Sequence, residues 1–588
     1  MRSLGTSIFK RCRSYASPDS FTNRIVPDPS TLRPPLPKTT RRIRVPVKTL
    51  AVIGTGLIGG TVYDRLNGRC ISRTLRTAVA GVILAVDYKL NFNPENADGI
   101  MALHERAAQR IYDVIVANGG LYIKIGQTLA MQSAVLPEPY SRIFSTLFDE
   151  APQVPWSEVK ALFEKELGKN PDDVFEHIDH HAAAAASIAQ VHRARLKTGE
   201  EVAVKVQKPE IQMQVDWDLW AYRLLVWVYE KYVFDIPMYF TVNYTCSHLA
   251  DETNFMLEAG NSKRMSEFIV NEPELRNSVY VPKVFDEYSS RRIMTAEWIT
   301  GVKATDHEKF EKMGFSSKAV MELMVATFSA QMFKFGYLHC DPHPGNLLIR
   351  PNPKTGKLQM VVIDHGLYIS ESEEFRQQYC LFWKSLFLND MATIRRISGE
   401  WGVGAPDLLA SATLMRPYRH DPNAHRTLSA ARPTPQTEKE RKEEAYAAQL
   451  AIKEKVKSFL LDQEKIPQEL LFIGRNMRIV QSNNHNLGSP VNRISIAAKW
   501  ASASLASASP NATFPQRIKH SLSHLRFLIT VGILDFGFWA FEVRRWVLSG
   551  FGLRKGHQDG WEDEIQKNLK VMAKENFGIE INEAAFDG

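Results

Sequence analysis

One stretch constrains this chain more than any other: Tyr337-Leu338-His339-Cys340-Asp341-Pro342-His343-Pro344-Gly345-Asn346-Leu347-Leu348-Ile349. Eighteen residues after Asn346 an apolar run ends in Asp364-His365-Gly366. As residue types these are H-x-D-x-x-x-x-N and D-x-G. Between them, Pro351-Asn352-Pro353-Lys354-Thr355-Gly356-Lys357 has the composition of a turn joining two strands. Such a hairpin returns Asp364 to the side of Asn346. The pattern places one carboxylate, Asp341, towards an acceptor, and two oxygen donors, Asn346 and Asp364, where they could hold Mg²⁺ against phosphate oxygens. The plainer alternative is a set of ordinary polar loop residues. Two motifs in order, with a hairpin between them, weigh against it.

Upstream, His181-Ala182-Ala183-Ala184-Ala185-Ala186-Ser187-Ile188 is a small-residue turn that runs into a strand. Lys197-Thr198-Gly199-Glu200 reads as a hairpin turn, and Glu201-Val202-Ala203-Val204-Lys205-Val206 alternates as a strand. A phosphate-covering loop followed by a V-A-x-K lysine resembles the order of a protein-kinase-like fold. The expected class is therefore α+β, a bilobal kinase-like fold with a helical N-terminal extension and a helical C-terminal tail. In that fold Ala183, Ala184, Ala185 and Ser187 would line the phosphates of ATP, and Lys205 would contact them. Alanine tolerates positive φ poorly, so this loop should be stiffer than a glycine-rich one. Glu258, within a helix read over 249–261, would pair with Lys205. Strands are expected at 281–284 and 291–299. The second would lead into a hinge at Glu297 and Trp298 that meets adenine.

Net charge is +8 over 588 residues, with part of the excess in the first fifty. No stretch resembles a nucleic-acid module, so the charge reads as targeting and membrane proximity, with no nucleic-acid partner. Five scattered cysteines without a C-x-x-C pair indicate neither a disulfide framework nor a structural zinc. Residues 1–18 carry Arg2, Lys10, Arg11 and Arg13 before any acid, the composition of a mitochondrial transit peptide. Residues 19–44 read as linker. The uncharged run Thr49–Tyr63 contains Gly54-x-Gly56-x-x-Gly59. A dinucleotide-binding reading would need a long helix next, and Asp64-Arg65-Leu66-Asn67-Gly68-Arg69 interrupts one. A membrane span over 45–65, with Gly56 and Gly60 as a packing face, fits better.

Residues 66–155 read as a helical extension, followed by an N-lobe over 156–300 and a C-lobe over 301–415. The extension contains Lys124-Ile125-Gly126-Gln127. By spacing alone Lys124 and Gln127 are an exposed helix face. Together with the alanine loop and His-Cys-Asp-Pro-His-Pro-Gly-Asn, however, they make the chain resemble the UbiB family of atypical kinases, also called aarF-domain-containing kinases, from about residue 70 to 400. The resemblance implies that the K-x-G-Q helix folds over the cleft, with Lys124 reaching the nucleotide site. It also implies an E-x-D pair, matched here by Glu252-Thr253-Asn254 with asparagine in place of the aspartate. It further implies ATPase activity and a link to coenzyme Q or mitochondrial lipid homeostasis at the inner membrane, with the kinase-like domain in the intermembrane space.

Residues 416–445 are densely charged and read as a solvated insertion. Residues 446–588 read as a helical region that closes the C-lobe. Phe527–Leu548, with Asp535, Glu542, Arg544 and Arg545, fits a buried or surface-lying amphipathic helix better than a second span. The function expected is an ATP- and Mg²⁺-using kinase or ATPase with membrane lipids, and a lipid or isoprenoid small molecule, as partners. Its rival is a nucleotide-gated scaffold without useful turnover.

Overall fold

The computed structural model describes residues 59–93, 99–130, 137–148, 152–234, 239–403, 406–414, 467–507 and 514–550. The transit peptide, the linker, most of the expected span and the charged insertion lie outside the described residues. Met1–Tyr63 and Asp64–Gly588 are separate compact units, and every helix and strand from Cys70 onward belongs to the second.

Among its described residues the extension has four α-helices: α1 (Cys70–Asn91), α2 (Ile100–Asn118), α3 (Leu121–Ala130) and α4 (Glu138–Phe144). Ala107, Ala108, Ile115, Tyr122, Tyr140 and Phe144 share its core. Gly126 lets α3 pack closely, because a Cβ there would overlap Leu147 Cδ1 and lie 2.9 Å from Ile115 Cδ1, so that both side chains would have to move.

The N-lobe begins with α5 (Trp156–Leu167). It then builds the sheet β1 (Phe175–Ile178), β3 (Ala189–Leu196), β4 (Glu201–Gln207) and β6 (Ile293–Glu297) in that order, with β2 (Ala184–Ala185) on β3. Alternation sets its faces: Val202, Val204 and Val206 are buried against Val159, Leu162 and Phe163 of α5. Lys205 consequently points to the other side. After β4 come α6 (Ile211–Val228), α7 (Tyr239–Asp251) and α8 (Phe255–Asn271). The helix expected over 249–261 is thus broken. Glu252 and Thr253 form a turn, and the Asn254 side chain caps α8 by accepting from the Met256 N–H at 3.2 Å. An asparagine favours a cap over a helix interior. The strand expected at 281–284 is also reduced, to β5 (Val279–Tyr280) plus an isolated bridge from Val284 to Ala296.

In the C-lobe, α9 (Ser317–Ala330) leads to β8 (Tyr337–His339). β9 (Leu347–Pro351) and β10 (Leu358–Val362) form the expected antiparallel hairpin, flanked by β7 (Val302–Lys303) and β5. β11 (Tyr368–Ser370) pairs with β8. α10 (Glu373–Leu388) buries Phe375, Tyr379, Phe382, Trp383 and Leu386. The same core takes in α11 (Gln468–Asn486), α12 (Arg493–Ser507) and α13 (Phe514–Gly550). α13 packs on the C-lobe through Phe527 and Val531 and leaves Leu525, Ile529, Ile533 and Phe536 exposed, so its outward face is apolar as well. Among the described residues no helix is long and apolar enough to cross a membrane.

Candidate active site

β4 and α8 meet at an ion pair. Lys205 Nζ lies 2.6 and 2.8 Å from the two carboxylate oxygens of Glu258. Glu258 sits one turn into α8, and only 3 % of its surface is exposed. Burial works against the Lys205 charge, but Glu258 and Asp364 outweigh it and raise its pKa. Asp364 Oδ2 is 4.0 Å from the same ammonium. Burial alone would push the Asp364 carboxyl up; Lys205 first, then Lys124, hold it below the ordinary carboxylate range.

The two sequence motifs are tied together by one histidine. His339 is buried, which lowers its pKa and leaves the ring neutral. Its Nδ1 accepts the Asp341 N–H at 2.9 Å. Nε2 must then carry the proton, and it donates to the Asp364 carbonyl at 2.9 Å. The Ile363 N–H donates to the Asn346 carbonyl at 3.0 Å, and the Gly366 N–H to Asp364 Oδ1 at 2.9 Å. Asp341, Asn346 and Asp364 are thereby fixed on adjoining backbone. His365 is pushed down to about 3 by burial and stays neutral, bonded to Tyr368 Oη at 2.9 Å and to the Val362 carbonyl at 3.1 Å. Asn261 of α8 donates to the His365 carbonyl at 2.9 Å. The helix that carries Glu258 is therefore bonded to the segment that carries Asp364.

Lys124 does reach this cleft. Its Nζ is 3.2 Å from Glu252 Oε2, and Glu252, Asp364 and Asp341 together raise its pKa against the effect of burial. Gln127 goes elsewhere: its amide donates to the Leu147 carbonyl at 2.9 Å. Ala184 and Ala185 pair with Val191 and Gln190, and the Ala186 N–H donates to the Ala189 carbonyl at 2.8 Å. Ala183 joins the ladder through Val191, and Ser187 is buried at the tip. The loop is a tight hairpin. None of its residues has positive φ, so alanine fits without strain. At the hinge, the Glu297 and Trp298 N–H groups donate to the Lys283 and Glu201 carbonyls. Neither amide N–H is left for an adenine, because each is already bonded to a neighbouring carbonyl.

Mg²⁺ and ATP can be tested against the residues present. Asp341 Oδ1 is buried without a hydrogen-bond partner. Asp364 keeps 41 % of its side chain exposed although it lies between two lysines. Among the described residues no cluster of three His, Cys, Asp or Glu could hold a metal alone. One carboxylate and one carboxamide as hard oxygen donors suit a Mg²⁺ that is completed by phosphates and water. The residues fit: Asn346 and Asp364 would hold the ion and Lys205 the α/β-phosphates. The ion would supply charge neutralisation.

Sequence reading gave α11 the closing of the C-lobe but no role at the site. Asn476 Nδ2 donates to the His339 carbonyl at 2.6 Å, and Asn483 Nδ2 to the Pro342 carbonyl at 3.2 Å. Arg475 Nη2 is 3.9 Å from Asp341 Oδ1. The available signal was two asparagines seven residues apart, on the face that also carries Phe472, Ile473 and Val480.

The family described as the ABC1 atypical kinase-like domain matches residues 146–398. An ABC1 family protein of Schizosaccharomyces pombe is 41 % identical over 474 residues, covering 80 % of this chain and 86 % of its own. The ABC1 family protein lscO of Purpureocillium lilacinum is 38 % identical, covering 86 % of this chain and 89 % of its own. AarF domain-containing protein kinase 1 of Gallus gallus is 31 % identical, covering 62 % of this chain and 70 % of its own.

Proposed function

This chain belongs to the ABC1 atypical kinase-like family, and from that premise we propose that it is a Mg²⁺-dependent ATP-using kinase or ATPase. The observation that carries the reading is the convergence of Lys205, Glu258 and Asp364, with Glu258 2.6 Å and Asp364 4.0 Å from one ammonium. In the reaction Lys205, oriented by Glu258, fixes the phosphates. Asn346 and Asp364 hold the ion. Asp341, whose side chain is 29 % exposed, accepts the proton of the attacking hydroxyl or water. The acceptor we propose is water or a small lipid or isoprenoid molecule, because Lys124 and Glu252, 3.2 Å apart, occupy part of the cleft.

The protein acts at the mitochondrial inner membrane in lipid or quinone homeostasis, with this domain in the intermembrane space. Support comes from the basic leader and from exposed apolar residues on the extension and on α6 of the N-lobe. Trp217, Trp220, Leu224 and Trp227 form one outward row on α6, and Leu75, Val79, Val82 and Val86 form another on α1. Tryptophan rows of this kind favour the interface of a bilayer. A nucleotide-gated scaffold is the second reading, favoured by the Lys124–Glu252 pair that closes one side of the cleft.

The test is phosphate release by the full chain in liposomes, with and without Mg²⁺, beside Asp364→Asn. Mg²⁺-dependent release that falls about 100-fold or more in the variant supports the enzyme. Tight ATP binding with no release in any lipid hands the function to the scaffold.

A further inference from the structure

A cleft that transfers the terminal phosphate of ATP needs a cation on the acceptor side of that phosphate. The loop itself supplies no fixed one: Pro342, His343, Pro344 and Gly345 lie between Asp341 and Asn346. The lysines nearby are engaged, Lys205 with Glu258 at 2.6 Å and Lys124 with Glu252 at 3.2 Å. A further cation at Asp341 comes from the C-terminal region. Arg475 Nη2 stands 3.9 Å from Asp341 Oδ1, with the two side chains 22 % and 29 % exposed. That distance is too long for a hydrogen bond. Asp341 Oδ1 and Arg475 Nε are both buried without partners. The arginine is not there by loose proximity. Asn476 and Asn483 on the same helix grip the carbonyls of His339 and Pro342, which flank Asp341 on both sides.

We infer that Arg475 binds the terminal phosphate of ATP, its guanidinium facing phosphate oxygens beside Asp341. A planar fork of donors suits a phosphate better than it suits a single carboxylate oxygen met end-on. The two-sided backbone grip explains why the group is held at the loop yet short of Asp341. This inference rests on the Mg²⁺-ATP reading above and extends it to a residue outside the matched domain, which ends at residue 398.

The test is equilibrium binding of ATP and of ADP, with Mg²⁺, to the full chain and to Arg475→Met and Arg475→Lys. Thermal unfolding without nucleotide serves as the folding control. Arg475→Met should weaken ATP about 10- to 100-fold, the worth of one charge-assisted contact, and ADP less than about 3-fold. Arg475→Lys should fall between, and it carries the test alone if the methionine variant does not fold. Equal losses for ATP and ADP, or no loss for either, overturn the inference while the Mg²⁺-ATP reading stands. Binding of neither nucleotide by the unaltered chain overturns both.

Discussion

Lys124 and Arg475 reach one cleft from opposite ends of the chain, and they are held there in different ways. Lys124 rides on α3, which is pressed against Leu147 at Gly126 and bonded to it through Gln127. The extension is anchored in turn by the buried Arg73–Asp218 ion pair between α1 and α6, and by Gly81, where a Cβ would lie 2.6 Å from Leu225 Cδ1. The ammonium ends on a carboxylate, Glu252, so its charge is largely answered within the protein. Arg475 is placed by neutral hydrogen bonds from its neighbours to backbone carbonyls, and its own carboxylate stays out of bonding reach. A cation already answered acts as part of the wall. A cation held short of its partner keeps its donors for something that arrives.

Breaking the anchor of the extension should have the largest effect. Asp218→Asn leaves Arg73 buried without its counter-charge, at a cost of about 3–5 kcal/mol in denaturant unfolding. A loss below about 1 kcal/mol would mean that packing alone holds α1 to α6. Gly126→Ala comes next, at about 1–3 kcal/mol, because the methyl overlaps Leu147 and Ile115. It should also disturb Lys124, which a Lys124→Met background would reveal as a change in nucleotide affinity that is no longer additive. On the tail side, Asn483→Ala removes one bond to the Pro342 carbonyl and should cost about 1 kcal/mol. Its kcat should drop more than its stability suggests, and an unchanged kcat would make α11 a mere support.

The smallest effect is a pH shift. The Asp364 pKa is depressed, so the carboxylate contributes stability that is present above about pH 4 and lost only as pH falls through its lowered folded value. Lys124→Met removes the lesser of the two cations responsible and should move that loss to higher pH, by less than Lys205→Met does. Acid titration of the unfolding midpoint measures both, and the reverse order would put Lys124 closer to Asp364 than Lys205 is.

The loop of Asp341, the hairpin after it and the Lys205 strand were readable because each is a local pattern: a period of two, a turn composition, a fixed spacing. Glu258 was readable as the acid that such a lysine requires. The break at Asn254 was not, since a capping asparagine looks like any polar residue until the two helices diverge. Lys124 could not be separated from an ordinary exposed lysine by spacing, and only the resemblance singled it out; its partner Glu252 lies far along the chain. Arg475, Asn476 and Asn483 carried still less signal. Their partners are backbone carbonyls, which have no residue type and leave no mark in a sequence.

The grip of α11 on the catalytic loop joins residues 137 and 141 positions apart. During synthesis, at about 5–20 residues per second, Asp341 therefore leaves the ribosome about 7–30 seconds before its brace has been made. Through that interval the loop can form its own bonds, through His339 and Asn346, but not those from α11. The order of translation acts as a timer: a nascent or truncated product carries every recognisable motif before the brace from α11 is in place.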